Sequence, residues 1–288
     1  MKKAFLKFTE IMARCLPTGL KRAIYNCPPL ARLLRAELNK SVPQGISRMT
    51  VAAGGLKGAQ LELDMHKEKY YWLGTYELEL QHAIEHFVKP GMTVFDVGAN
   101  IGYISLLFSK AVGSDGRVFS VEALPANINR LQANVALNPF AANVTVVHTA
   151  IVDATKTVTF LVHDSTSMGK VAGSAGRSGE KYTDEITVDG ASLDDLVYKR
   201  DLPAPDVIKM DIEGGEVLAM QGMKRLLQEK HPLMMVELHG HEAAQAVYAT
   251  LQKAGYTFKR MQFGYPGANS DADLDWKAYV VGIPPFTD

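Results

Sequence analysis

Two groups of residues have the types and spacing needed for chemistry. The first lies in TVFDVGANIGYIS, residues 93–105, where an acid, Asp96, precedes Gly98, Asn100 and Gly102. The glycines let backbone approach a ligand, and Asn100 is among the few other residues that tolerate a left-handed conformation. Glu122 ends the run RVFSVEA, 20 residues after Gly102, at the position from which a carboxylate accepts hydrogen bonds from both ribose hydroxyls. The loop is Gly-x-Asn-x-Gly, not the Gly-x-Gly-x-x-Gly of dinucleotide sites. An acid two residues before its first glycine suits a cationic or hydroxyl-bearing ligand better than a phosphate. A ribose-bearing ligand without phosphates fits, and S-adenosylmethionine has that ribose together with an amino-acid end for Asp96 and the loop backbone.

The second group lies in DVIKMDIEGGE and VELHG. On a strand, Lys209, Asp211 and Glu213 project to one face, and Ile208, Met210 and Ile212 to the other. A lysine inside a buried strand needs a counter-charge, and Asp211 is the nearest in sequence. Glu237 and His239 share a face at the end of the next strand. In-line methyl transfer releases a neutral thioether, so catalysis needs alignment of the acceptor oxygen and removal of its proton. His239, Asp211 or Glu213 could take that proton. The alternatives are a structural ion pair between Lys209 and Asp211, with Glu213 or Glu216 favouring the following helix N-terminus, and a divalent ion on Asp211, Glu213, Glu237 and His239. The ion is disfavoured because Lys209 already supplies positive charge, and no metal is assigned. Ala150 and Ile151 are expected as apolar walls for adenine, with Asp153 as a partner of its amino group; His148 is read as structural. Tyr76 and Glu77 either close over the cofactor or pack the start of a helix.

The elements that position these groups follow from hydrophobic period. From residue 92 onward, apolar strands alternate with amphipathic helices: TVFDVG, a helix from Ile101, RVFSVEA, ANINRLQANVALN, NVTVVHTAI, DVIKMDI, EVLAMQGMKRLLQEK, LMMVEL. That alternation predicts an α/β fold with a mostly parallel sheet covered on both faces. YTFKRM and AYVVGI suit an antiparallel pair at the sheet edge, and TSMGKVAGSAGRSGEK reads as a Gly/Ser-rich surface loop or acceptor-side lid. Residues 46–90 carry two strand candidates, RMTVAA and AQLELDM, and a lead-in helix. Residues 1–45 form a basic, helical extension, with nine Lys/Arg against two Glu in residues 1–40. Its apolar residues Phe5, Leu6, Phe8, Ile11, Met12, Cys15 and Leu16 recur at helical spacing. The stripe packs on the body or a second subunit, or gives peripheral contact with an anionic membrane. The chain is otherwise mildly acidic, which gives no electrostatic footprint for nucleic acid. Two cysteines make no disulfide framework, and no uncharged apolar stretch is long enough to span a bilayer; a cytoplasmic protein is expected.

VFDVGANIGYISL, VFSVEALPANINRLQANVALN, VIKMDIEGGEVLAMQGM and LMMVELHG, in this order, resemble the FkbM family of S-adenosylmethionine-dependent methyltransferases. GTYELELQHAIEHFVKPGM and SLDDL are similar to it too. The resemblance covers roughly residues 60–260. It implies the class I methyltransferase fold, Rossmann-like, with a seven-stranded sheet and a reversed last strand, over a catalytic domain at 91–288. It also implies O-methylation of a hydroxylated small molecule, sugar or glycan. Two rivals remain: a nicotinamide oxidoreductase, disfavoured by the missing Gly-x-Gly-x-x-Gly, and a non-catalytic nucleoside-binding module.

Overall fold

The computed structural model describes residues 27, 42, 44–163, 168–175, 182–274 and 279–285. The expected N-terminal helix, and with it the membrane or self-association role of residues 1–40, lies outside them. The chain divides into two compact units, Met1–Leu78 and Glu79–Asp288. Among the described residues no helix is long and apolar enough to cross a membrane.

In the first unit, β1 (Ile46–Thr50) and β2 (Gln60–Asp64) form an antiparallel pair, the two strands expected from their sequence. The short helix α1 (Lys69–Leu73) follows and ends at Gly74, whose φ of 67° is a left-handed stop. Helix α2 (Leu78–Phe87) carries the chain onward.

The second unit is built on one large sheet. The chain runs through β3 (Thr93–Val97), α3 (Tyr103–Val112), β4 (Arg117–Glu122), α4 (Pro125–Ala136), β5 (Val144–His148) and β6 (Ala150–Ile151). It then forms β7 (Lys156–His163), β8 (Gly169–Val171), β9 (Tyr182–Ala191) and α5 (Leu193–Tyr198), and returns as β10 (Val207–Met210). Two short helices follow, α6 (Glu216–Gln221) and α7 (Lys224–Glu229), then β11 (Leu233–Glu237), α8 (His241–Lys253), β12 (Thr257–Arg260), β13 (Gly267–Ala268) and β14 (Tyr279–Ile283). The strand order is β5-β4-β3-β10-β11-β14-β12-β13. Neighbours from β5 to β11 pair in parallel, and β14 is antiparallel to both β11 and β12. This is the expected seven-strand class I arrangement, extended at its edge by the two residues of β13. The reversed strand β14 is inserted one place inward, between β11 and β12. The central strands read as near-continuous apolar runs, VFDV, VFSV and VIKM, as strands covered on both faces must, and all four residues of β10 are buried.

Two elements depart from the sequence reading. The stretch EVLAMQGMKRLLQEK is not one helix but α6 and α7, broken at Gly222 and Met223. Backbone at Gly222 packs against the carbonyls of Val152 and Asp153, where a side chain has no room. The break frees the first amides of α7, and the Asp194 carboxylate accepts them from Arg225 N at 3.1 Å and Leu226 N at 2.8 Å. The second departure is a four-stranded sheet, β6-β9-β7-β8, between β5 and β10 in sequence. The glycine-rich patch contributes its strand β8, so part of the expected loop is paired backbone. Val158, Phe160, Val171 and Val188 close this sheet over Ala123, Leu124 and Ala150 at the exit of β4.

At the adjacent exits of β3 and β10 the fold leaves almost no space. Gly98 has a φ of 79°, and a Cβ there would overlap the carbonyl oxygen of Asp211. Gly98→Ala should therefore cost more than the ~1–2 kcal/mol of a left-handed non-glycine residue, because the neighbouring backbone must also move. Gly91→Ala, at φ 85° with nothing within 4 Å, should cost the backbone strain alone. Urea unfolding of both variants checks the difference.

Candidate functional site

The loop from β3 to α3 is fixed by the end of β4. Gly98 N and Ala99 N donate to Val121 O at 2.9 and 3.0 Å. Asn100 takes the left-handed conformation expected of it, with φ 50°, and its N–H donates to Glu122 Oε2 at 2.8 Å. Glu122 Oε1 accepts from Ala123 N at 3.0 Å and Leu124 N at 2.8 Å. Burial pushes the Glu122 carboxyl above the usual range, although the hydrogen bonds from Leu124, Asn100, Ala123 and Asn127 oppose that. These four donors match the two lone-pair directions on each carboxylate oxygen, so Glu122 holds the loop, and a ribose hydroxyl would bind it by displacing a donor such as the Asn127 side chain. Asn100 Oδ1 is buried with no hydrogen-bond partner among the described residues. A buried oxygen left in that state costs ~1–3 kcal/mol, which a ligand donor would recover. A carboxylate and an amide oxygen at one loop fit the hydroxyls and ammonium of S-adenosylmethionine and are wrong for a phosphate.

The remaining expected cofactor residues separate. Ala150 packs with Ala123 and Leu124 beside Glu122, a fitting apolar wall, and His148 Nε2 lies 3.0 Å from Ala123 O. Ile151 belongs instead to the main core with Ala191 and Leu193. The Asp153 carboxylate pairs with Lys156 at 2.6 Å, which lowers its pKa. Tyr76 packs within the first unit, its ring 5.4 Å from Tyr70 and 4.6 Å from Tyr71. Glu77 is part of the same group, adding negative charge near Tyr71, with φ 45°.

Asp96 is wholly buried, and its near partners are side chains of the sheet and of α3. The parallel register sets Lys209 of β10, Asp96 of β3 and Ser120 of β4 in one lateral row. Lys209 Nζ lies 3.3 Å from Asp96 Oδ1. Ser105 of α3 donates to Asp96 Oδ2 at 2.6 Å and accepts from Ser120 Oγ at 2.8 Å. Lys209 also donates to Gly98 O at 3.0 Å and stands 3.6 Å from Asp211 Oδ2. With 2% exposure, it is a positioning residue, not one that meets an acceptor, and Asp96 is a closer partner than the expected Asp211.

Asp211, Glu213, Glu237 and His239, by contrast, do come together. His239 Nε2 is 3.5 Å from Glu213 Oε2, 3.6 Å from Asp211 Oδ1 and 3.7 Å from Glu237 Oε1. Its Nδ1 lies 2.8 Å from Oε1 of Glu216, which is wholly buried. Burial works against a charge on His239, but the Glu216 hydrogen bond and the charges of Glu216, Asp211 and Glu237 raise its pKa to about 9. A ring whose acidic neighbours favour its protonated form leaves Asp211 and Glu213 as the open carboxylates among the three expected proton acceptors. Burial also pushes the Asp211 carboxyl up, but the charges of Lys209 and His239 outweigh it and leave it below the usual range. Tyr279 OH donates to Asp211 Oδ2 at 3.3 Å.

Residues 96–258 match the methyltransferase FkbM domain model, more than half of the chain and all of the site just described except Tyr76, Glu77 and Tyr279. The chain belongs to the FkbM methyltransferase family. The cofactor of such a domain is S-adenosylmethionine. Among curated relatives, the hexuronic acid methyltransferase AglP of Haloferax volcanii is 27% identical over 56% of this chain and 62% of its own. Protein-L-isoaspartate O-methyltransferase 1 of Arabidopsis thaliana is 38% identical over 20% of this chain and 26% of its own. The chain thus spans less than two thirds of either relative. A solved methyltransferase FkbM from Methylobacillus flagellatus KT is 18% identical, covering 74% of this chain and 52% of that one, with a TM-score of 0.43.

In this FkbM domain the sequence reading gave Glu216 only a helix-terminal role. It accepts Ile212 N at 3.3 Å from the first helical position of α6, and the same oxygen orients His239. Spacing alone carries no signal for a partner 23 residues away, whereas a buried acid after Gly214 and Gly215 was a clue. The Lys209 pairing is testable through stability. Lys209→Met leaves the Asp96 carboxylate buried without its cation and should cost ~3–5 kcal/mol by chemical denaturation. Adding Asp96→Asn, which keeps an acceptor for Ser105, should restore most of it.

Proposed function

We propose that this protein transfers the methyl group of S-adenosylmethionine to a hydroxyl oxygen of a sugar, glycan or hydroxylated natural product. The observation that carries the reading is the bridge through Lys209, whose ammonium is bonded to Gly98 O in the cofactor loop and lies 3.6 Å from Asp211 in the carboxylate cluster. The loop and the cluster are therefore neighbours at the carboxyl ends of β3 and β10, where open α/β sheets bind their ligands. When bound, S-adenosylmethionine supplies a methyl group on a cationic sulfur that leaves as a neutral thioether. Glu122 and Asn100 Oδ1 accept its hydroxyl and ammonium donors, and Ala123, Leu124 and Ala150 form an apolar wall. Asp211 and Glu213 accept the hydrogen bond of an incoming hydroxyl, hold its oxygen, and take its proton as the oxygen becomes nucleophilic. A carboxylate-rich rim suits a hydroxyl acceptor, which donates its hydrogen bond to it. The hexuronic acid methyltransferase among the relatives supports a sugar acceptor.

Methyl-labelled S-adenosylmethionine offered with uronic acids, neutral sugars, phenols, amines and thiols tests the reading. The expected outcome is S-adenosylhomocysteine release with a hydroxylated acceptor and a methyl ether by NMR. Asp211→Asn should lower kcat ~10²–10⁴-fold with cofactor affinity within a few-fold. Transfer confined to amines or thiols contradicts the proposal.

A further inference from the structure

The cluster at the ends of β10 and β11 has an excess of negative charge. Asp211, Glu213, Glu216 and Glu237 surround His239, while Lys209 lies nearer to Asp96 than to Asp211. The charge of Lys209 therefore does not neutralise this group, which removes the sequence argument against a cation here.

The imidazole supplies the independent observation. His239 is buried, and its Nε2 makes no hydrogen bond among the described residues although it faces three carboxylate oxygens at 3.5–3.7 Å. Those separations are too long for charge-assisted hydrogen bonds of ~2.7–2.9 Å. They are close to the ~3.0–3.6 Å between two atoms that each lie ~2.1 Å from one ion at angles of 90–120°. Ligand atoms of Asp211, Glu237 and His239 all fall within 4.8 Å of one another. On the far side of the ring, Glu216 accepts from Nδ1 at 2.8 Å. That contact fixes the ring and aims Nε2 at the carboxylates, as a carboxylate behind a metal-bound histidine does, and a bound cation would take the place of the Nε2 proton.

We propose that Asp211, Glu237 and His239 bind one divalent cation of the manganese or magnesium class, with Glu213 adding negative charge beside Nε2 and Glu216 positioning His239, and that the cation takes two neighbouring oxygens of the acceptor. Vicinal hydroxyls, or a hydroxyl beside a carboxylate, present such a pair. Two carboxylates and one imidazole favour an oxygen-seeking ion that also accepts nitrogen. A coordinated hydroxyl loses its proton more readily; the proton passes to Asp211, Glu213 or water, the oxygen–methyl bond forms, and the sulfur–methyl bond breaks with its electron pair remaining on sulfur. The acceptor half of this inference rests on the hydroxyl-methylation reading above; the cation half does not.

Manganese(II) is the probe. The full chain, stripped with a chelator and dialysed, is titrated with Mn²⁺ while the electron paramagnetic resonance signal of free ion is followed, and S-adenosylmethionine binding is measured calorimetrically on the same samples. The expected result is one Mn²⁺ per chain, with affinity lowered at least 10-fold by Asp211→Asn, His239→Ala or Glu237→Gln. Glu216→Gln should lower it ~10–100-fold. Absence of Mn²⁺ binding in a sample that binds S-adenosylmethionine overturns the site, as does undiminished binding in Glu237→Gln and Asp211→Asn that keep the native circular dichroism. Mn²⁺ binding as expected without methyl transfer to any hydroxyl overturns the acceptor half and leaves the cation site standing.

Discussion

The Lys209 ammonium is the constraint on which the rest of the site depends. It sits in the middle of β10, a strand whose four residues are all buried, where a lone charge costs several kcal/mol. Parallel pairing with β3 brings Asp96 beside it in register, and Ser105 and Ser120 satisfy the far side of that acid. Once paired, the ammonium still has hydrogens to donate, and one goes to Gly98 O at the first turn of the cofactor loop. The same ammonium that neutralises Asp96 therefore anchors the backbone that must meet the cofactor. Gly98 has to be glycine for a related reason: its Cα packs against the Asp211 carbonyl. Two adjacent strand exits are locked together before any ligand arrives.

On that platform the two acid systems have different tasks. Asp96 is buried in a row of hydrogen bonds with a cation at 3.3 Å. The rim group around His239 is concentrated charge, with Asp211 and Glu213 on the exit of β10, Glu237 ending β11, and Glu216 reaching back from α6. Parallel strands end at one edge of the sheet, so residues from separate parts of the chain reach a common rim with no loop long enough to loosen them. Glu122 performs the equivalent task one strand beyond β3, holding the loop amide at the place where a ribose would exchange with one of its donors. Preorganisation of this kind places the acceptor oxygen and the methyl donor without reorganisation during the reaction.

Much of this was legible in the sequence because period and punctuation are local signals. Continuous apolar runs identified β3, β4, β10 and β11, and the left-handed tolerance of Asn100 matched its φ of 50°. The carboxylates and histidine of the rim were read as one group because strand ends in such a sheet share an edge. Partners fixed by lateral register were not legible. Asp211 is two residues from Lys209, but Asp96 is closer in space because β3 lies alongside. Helical period runs unbroken through Gly222, yet packing against the Val152 and Asp153 carbonyls splits the helix. In KTVTFLVH the alternation of Val158 and Phe160 with Thr157 and Thr159 is a strand signal, one that the adjoining glycine-rich patch obscured. Pairing with β9 made it a strand.

The central claim is that the loop ordered by Lys209 and Glu122 is where S-adenosylmethionine binds, directly beside the His239 rim. Hydrogen exchange read by mass spectrometry, with and without saturating S-adenosylmethionine, addresses it most directly because local protection reports where a ligand orders the backbone. The account predicts added protection in peptides covering residues 96–106 and 121–125, with none in β7. Protection confined to β7 and β9 or to the first unit, with residues 96–106 unchanged, would contradict it.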